Sequence, residues 1–131
     1  MNKIQPNSFE AIAMFVLYIC FQDDEISLTE INQFESDLNL LKKLYLDIHG
    51  ELLPFDFKES LQKISTMLKK NDKFLSSNLS KFEKDTFQSI ITDPKLRHLA
   101  LLEAKHAAES DALHAKENAK LMQWLKLWNF D

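Results

Sequence analysis

The chain has 131 residues, 45% of them hydrophobic and 27% charged, a balance typical of a folded domain and not of a disordered segment. One Gly and three Pro are too few for the turns of an all-β fold, and a formal net charge of −4 argues against a nucleic-acid partner. The single cysteine, Cys20, excludes an internal disulfide and favours a reducing, cytoplasmic compartment.

The first predicted element is a helix over about residues 8–21 that is apolar on nearly every side. Its apolar run, residues 11–21, is shorter than the roughly 20 residues that a membrane span needs. Acidic residues bound the run on both sides, and the basic start and small residues of a signal peptide are missing. We therefore expect a buried central helix and no transmembrane segment.

Cap signals divide the next part of the chain. Ser27 is the predicted N-cap of the second helix, and Glu30 completes a capping box three residues later. Gly50 ends that helix in the left-handed conformation. Asp56 is the predicted N-cap of the third helix, with Glu59 as its capping-box partner.

The second half of the chain continues the helical pattern. Residues 69–73 are predicted as a loop, and a fourth helix is predicted over about residues 75–91. The pair Asp93-Pro94 predicts the start of a fifth helix that ends near Ala108, and a sixth follows over about residues 113–128. Because no Ser-, Gly- or Pro-rich linker divides them, we predict one all-α domain over residues 1–131, a single compact bundle of helices.

The turn between the first two helices recurs between the last two. Residues 21–34 align without gaps on residues 108–121. The matched pairs are Asp24 with Asp111, Ile26 with Leu113, and Glu30 with Glu117. Each copy has a buried helix, an acidic turn, an apolar anchor and a helix that opens with Glu. The anchor fixes the turn to the core, and the acidic side chains face the positive end of the next helix.

The first copy of this turn resembles a family motif. Residues 23–30 read Asp-Asp-Glu-Ile-Ser-Leu-Thr-Glu, which is similar to the turn D-G-x-I-S-x-x-E of the TerB-like tellurite-resistance family. Asp24 stands where that family prefers Gly, and in the second copy Ser110 stands where it has Asp. The resemblance implies a bundle of about seven helices with the two motif-bearing hairpins packed together. It implies no enzymatic activity, and a role in stress, tellurite or phage response, with similar domains beside J-domain co-chaperones.

The resemblance also implies a metal site. The family's suspected ligand positions fall on Asp23, Glu30 and Glu117, where calcium or a similar divalent cation is expected. A true EF-hand is excluded, because its first and third ligand positions fall on Ile19 and Phe21. Helix capping explains the same acidic residues without any metal, so both interpretations stay open.

Enzymatic chemistry is not expected. No Ser or Cys is grouped with a base, and one Gly cannot form a phosphate-binding loop. Glu103 and His106 have the E-x-x-H spacing of di-iron bundles, but such a site needs a second E-x-x-H pair and two further Glu. A small metal-dependent oxidase is therefore only a third, remote hypothesis.

Trp124 and Trp128 lie one helical turn apart near the end of the chain. They belong to the core or, if exposed, form a protein-contact surface. Two functions follow. The first is a non-enzymatic, stress-response-type module whose acidic turns bind a divalent cation or a partner protein. The alternative is a helical protein–protein adaptor with purely structural turns and a Trp-bearing contact face. The sequence identifies neither the partner nor the oligomeric state.

Overall fold

The first helix lies at the centre of the molecule. In the computed structural model, which describes residues 4–22, 25–110 and 115–130, α1 spans Phe9–Cys20. Every residue of α1 except Glu10 is buried, as the apolar composition predicts. Ser8 is its N-cap and accepts a hydrogen bond from the Ala11 amide.

Five α-helices and one short 3-10 helix follow α1 in the described segments, and these segments contain no strand. The α-helices are α2 (Leu28–His49), α3 (Phe57–Lys69), α4 (Lys81–Ile90), α5 (Pro94–Glu109) and α6 (Ala115–Leu127). The predicted all-α bundle is therefore confirmed. None of the helices in the described segments has the length and apolar character needed to cross a membrane.

Most predicted helix ends are confirmed. Ser27 and Glu30 form the complete capping box at the start of α2, and Gly50 ends that helix at φ 83°. Asp93 caps α5 by accepting the Lys95 amide. At α3 the Asp56 side chain accepts a hydrogen bond from the Glu59 amide. The predicted second bond of the capping box, from the Asp56 amide to the Glu59 carboxylate, is not formed.

The segment between α3 and α4 differs from the prediction. The predicted loop over residues 69–73 includes the end of α3 and the start of a 3-10 helix, Asp72–Leu75. The fourth helix begins at Lys81, six residues later than predicted, because Ser80 and Glu83 form a second capping box there. Before it, the Ser76 hydroxyl donates to the Asn78 carbonyl oxygen. Such local bonds compete with helix formation.

The two motif-bearing hairpins, α1–α2 and α5–α6, pack together as predicted. Helix α1 makes its most extensive contact with α5, and α2 also packs against α5. The face of α5 toward the core carries small side chains, and Ala100, Ala104 and Ala107 are completely buried. Small residues at this spacing let two helix backbones approach closely. The side chains of α1, α2, α5 and α6 consequently meet in one interior.

Candidate functional site

Two of the predicted metal ligands, Glu30 and Glu117, are buried. They lie in the first turns of α2 and α6, and they are 2% and 0% exposed. Glu30 Oε1 accepts the Ser27 amide at 3.0 Å, as the capping box requires. The third predicted ligand, Asp23, lies outside the described residues. Helix capping alone works at the surface, so it does not explain why both carboxylates are enclosed.

Both glutamates act on one buried thiol. Cys20, the last residue of α1, is 1% exposed, and burial raises the pKa of its thiol well above the usual value. The negative charges of Glu30, Glu117 and Glu103 raise this pKa further. Glu30 and Glu117 therefore both lie near the Cys20 end of α1. The thiol stays protonated there and is a poor nucleophile.

One oxygen of Glu30 has no hydrogen-bond partner among the described residues. Glu30 Oε2 is buried and forms no hydrogen bond with the described residues. A buried acceptor in this state costs about 1–3 kcal/mol, which a bound cation would offset. Among the described residues, however, Glu30 and Glu117 do not belong to a group of three metal-ligating side chains within 4.8 Å. Further ligands at the turns would have to come from Asp23 or from backbone carbonyl oxygens.

A second group of ligand-type side chains lies between α2 and α5. One potential ligand atom from each of Asp37, Glu103 and His106 lies within 4.8 Å of the other two. His106 Nδ1 is 2.7 Å from Asp37 Oδ2, and Gln33 Nε2 donates to Asp37 Oδ1 at 3.1 Å. Burial raises the pKa of Glu103 to about 9, helped by its hydrogen bond to Asp37 and by the charge of that residue. Glu103 is consequently a neutral acid at pH 7.

Sequence reasoning found only part of this second group. The E-x-x-H spacing identified Glu103 and His106 as neighbours on one helix face, but Asp37 precedes His106 by 69 residues. No local pattern links α2 to α5, so Asp37 joins the group only through packing. No second histidine of the described residues joins them, so the ligand set of a di-iron oxidase is not assembled among these residues.

The hypothesis of an exposed Trp face is wrong. Trp124 is 0% exposed and Trp128 is 6% exposed. Trp124 packs edge-on against Phe15, with ring centroids 5.4 Å apart, and its Nε1 donates to Tyr18 Oη at 3.0 Å. The ring of Trp128 is stacked on Phe15 and lies beneath the Arg97 guanidinium. Both side chains complete the core against α1, so neither offers a contact surface.

A buried ion pair joins α6 to α4. Lys120 and Glu83 are 1% and 0% exposed, and Lys120 Nζ donates to Glu83 Oε1 at 2.5 Å. Tyr18 Oη donates to the same oxygen at 2.6 Å, and the Ser80 amide donates to Oε2 at 2.9 Å. Both oxygens of Glu83 therefore have partners. This arrangement stabilises the fold and leaves no free position for a ligand.

Ionisation of Glu83 in this pair makes the free energy of unfolding depend on pH. Burial opposes ionisation of Glu83, but hydrogen bonds from Lys120, Ser76 and Tyr18 outweigh burial and hold its pKa below the usual value of 4.5. The stability that ionised Glu83 contributes is therefore present above that value and is lost as the pH falls through the lower folded-state pKa. We expect the gap in unfolding free energy between wild type and Glu83→Gln to be largest near neutral pH. This gap should narrow as the pH falls below the usual Glu value of 4.5.

Urea unfolding at several pH values measures this gap directly. Two curves that stay parallel down to the acid end would show that Glu83 keeps the same pKa in the folded and unfolded chains.

Comparison of the chain with protein-family models, with curated proteins and with solved structures finds no match.

Proposed function

We propose that the protein is a non-enzymatic, TerB-like helical module of the stress-response type, whose two acidic turns together bind a divalent cation such as Ca²⁺. One observation carries the proposal. Glu30 and Glu117, which follow turns near opposite ends of the sequence, are both buried, and the charge of each raises the pKa of the Cys20 thiol. Structural capping requires neither their burial nor their convergence.

The negative charges of Glu30 and Glu117 favour a bound cation. Two carboxylates in a protein interior disfavour each other's ionisation, whereas a hard divalent cation stabilises both ionised forms. Calcium takes six to eight oxygen ligands, and the turns offer carboxylate and backbone oxygens. A cation held by Glu30 and Glu117 would connect the first turns of α2 and α6 across the end of α1. Cation binding would thus join the two hairpins.

A partner protein is the other ligand class for the acidic turns. The burial of Glu30 and Glu117 favours the cation, because an ion reaches an enclosed carboxylate more readily than a side chain of a second protein does. The adaptor alternative, with a Trp-bearing contact face, lacks that face because both Trp side chains are buried.

Calorimetric titration of metal-stripped protein with Ca²⁺, Mg²⁺, Mn²⁺ and Zn²⁺ tests the proposal. We expect saturable Ca²⁺ binding by wild type, and Ca²⁺ binding at least about tenfold weaker in Glu30→Gln, in Glu117→Gln and in Asp23→Asn, because each loses a charged oxygen ligand. Gln at position 30 can still complete the capping box, so a loss of binding there is not a loss of the cap.

Glu35→Gln is the matched control, since Glu35 is an exposed carboxylate of the same helix, α2. It should bind the cation like wild type. If wild type gives no saturable heat with millimolar Ca²⁺, the acidic turns are capping devices and the search moves to a protein partner.

A further inference from the structure

The group formed by Asp37, Glu103 and His106 has the composition of a metal site. It combines one imidazole with two carboxylates, and its three potential ligand atoms lie within 4.8 Å of one another. Imidazole with carboxylate is a donor set that suits zinc and other borderline transition metals, and two carboxylates balance the charge of a divalent ion. We infer that Asp37, Glu103 and His106 bind one transition-metal ion of the Zn²⁺ class between α2 and α5.

A second observation points to a ligand at this place. Glu103 is 5% exposed, and its Oε2 is buried without a hydrogen-bond partner among the described residues. Glu83 shows what a purely structural buried carboxylate looks like in the same molecule, because both of its oxygens have partners. The unpartnered Oε2 belongs to a side chain whose carboxyl group lies beside an imidazole and a second carboxylate.

The surroundings hold these side chains in place. Glu103 and His106 are at positions i and i+3 of α5, so both side chains lie on one face of the helix. Asp37 faces them from α2, and Gln33, one turn earlier, donates to its Oδ1 at 3.1 Å. A hydrogen bond to the second oxygen of a carboxylate ligand is the usual way in which a protein orients it toward a metal.

The spacing suits zinc after a small movement. Zinc–ligand distances of about 2.0–2.1 Å place tetrahedral ligand atoms about 3.3–3.4 Å apart. His106 Nδ1 and Asp37 Oδ2 are now 2.7 Å apart, and the widest spacing in the group is at most 4.8 Å. The His106 side chain is 60% exposed, so it can turn without disturbing the core. The same exposure gives the ion access and leaves room for a water ligand.

The inferred site shares no ligand with the acidic turns. Glu30 and Glu117 offer oxygen ligands to a hard cation, whereas His106 provides the nitrogen that a transition metal prefers. Each site can therefore be present without the other, and the variants that test them are different.

The test is titration of the metal-stripped full chain with Zn²⁺ by calorimetry and with Co²⁺ by visible absorption. We expect one Zn²⁺ per chain at this site and a Co²⁺ spectrum typical of nitrogen and oxygen ligands. Glu103→Gln and His106→Gln should each weaken Zn²⁺ binding at least tenfold and abolish the Co²⁺ bands. Gln at position 103 keeps a donor for Asp37, so its thermal unfolding without metal should match wild type.

Two control variants make the result specific. His98→Gln removes another exposed histidine of α5, and Glu30→Gln alters only the acidic turn. Neither should change the Co²⁺ spectrum or the Zn²⁺ affinity of the inferred site. The inference is overturned if wild type binds no Zn²⁺ saturably, if Glu103→Gln and His106→Gln bind it like wild type, or if His98→Gln weakens binding as strongly as they do.

Discussion

Replacing Lys120 by Met is expected to lower the free energy of unfolding by about 3–5 kcal/mol, because it removes one partner of a buried ion pair and leaves the other charge enclosed. Glu83 would remain charged in the variant, and it is 0% exposed. In wild type its Oε1 accepts a hydrogen bond from Lys120 Nζ at 2.5 Å. Met has nearly the length of Lys, so the packing volume is kept and the effect is electrostatic. Urea unfolding at neutral pH measures it.

Lys116→Met is the matched control, because Lys116 is exposed on the same helix, one turn before Lys120. It should change stability by less than about 0.5 kcal/mol. The double variant Lys120→Met with Glu83→Gln should recover part of the loss, since it leaves no buried charge without a partner. A loss under about 1 kcal/mol in Lys120→Met alone would mean that water reaches the pair, as at a surface salt bridge.

Replacing Trp124 by Ala is expected to lower the free energy of unfolding by about 3–5 kcal/mol, the range for removing a large aromatic side chain from a core. The Trp124 ring is completely buried and contacts the rings of Phe15 and Phe87. The substitution also removes the hydrogen bond from Nε1 to Tyr18 Oη. Thermal or chemical unfolding of the variant gives the magnitude.

Trp124→Phe keeps much of the buried ring and loses only the indole donor, so its loss should be clearly smaller than that of Trp124→Ala. Met122→Ala on the same helix removes a side chain that is 52% exposed and should have little effect. If Trp124→Ala were as stable as Met122→Ala, Trp124 would lie at the surface and could again be considered a protein-contact residue.

The buried carboxylates of this protein are of two kinds, those with hydrogen-bond partners for both oxygens and those with one oxygen unsatisfied. Glu83 has partners for both oxygens and acts as a structural ion pair with Lys120. Glu30 and Glu103 each keep one buried oxygen that no described residue satisfies. Since natural proteins seldom leave such atoms without a partner, these two positions are where bound ions are proposed. The Lys120 and Trp124 variants test the fold, and the Gln variants test ligand binding without disturbing it.

The sequence by itself determined the fold class and most helix ends. The capping box of Ser27 and Glu30, the left-handed Gly50 and the helix start at Asp93-Pro94 involve bonds between residues no more than four apart. Such short-range chemistry is legible in one sequence. The start of α4 was missed because apolar spacing continued through residues 75–79, while the Ser80 cap and local hydroxyl bonds determined where the helix begins.

Only the tertiary structure decided which side chains are enclosed and which of them meet. Periodicity shows that one face of a helix is apolar, but packing determines which helix covers that face. The spacing of Trp124 and Trp128 therefore did not show that both are buried. Asp37 contacts His106 across 69 residues of sequence because α2 packs on α5. The Lys120 and Glu83 side chains, 37 residues apart, meet between α6 and α4. Contacts over such separations depend on how whole helices pack, and no local pattern encodes that.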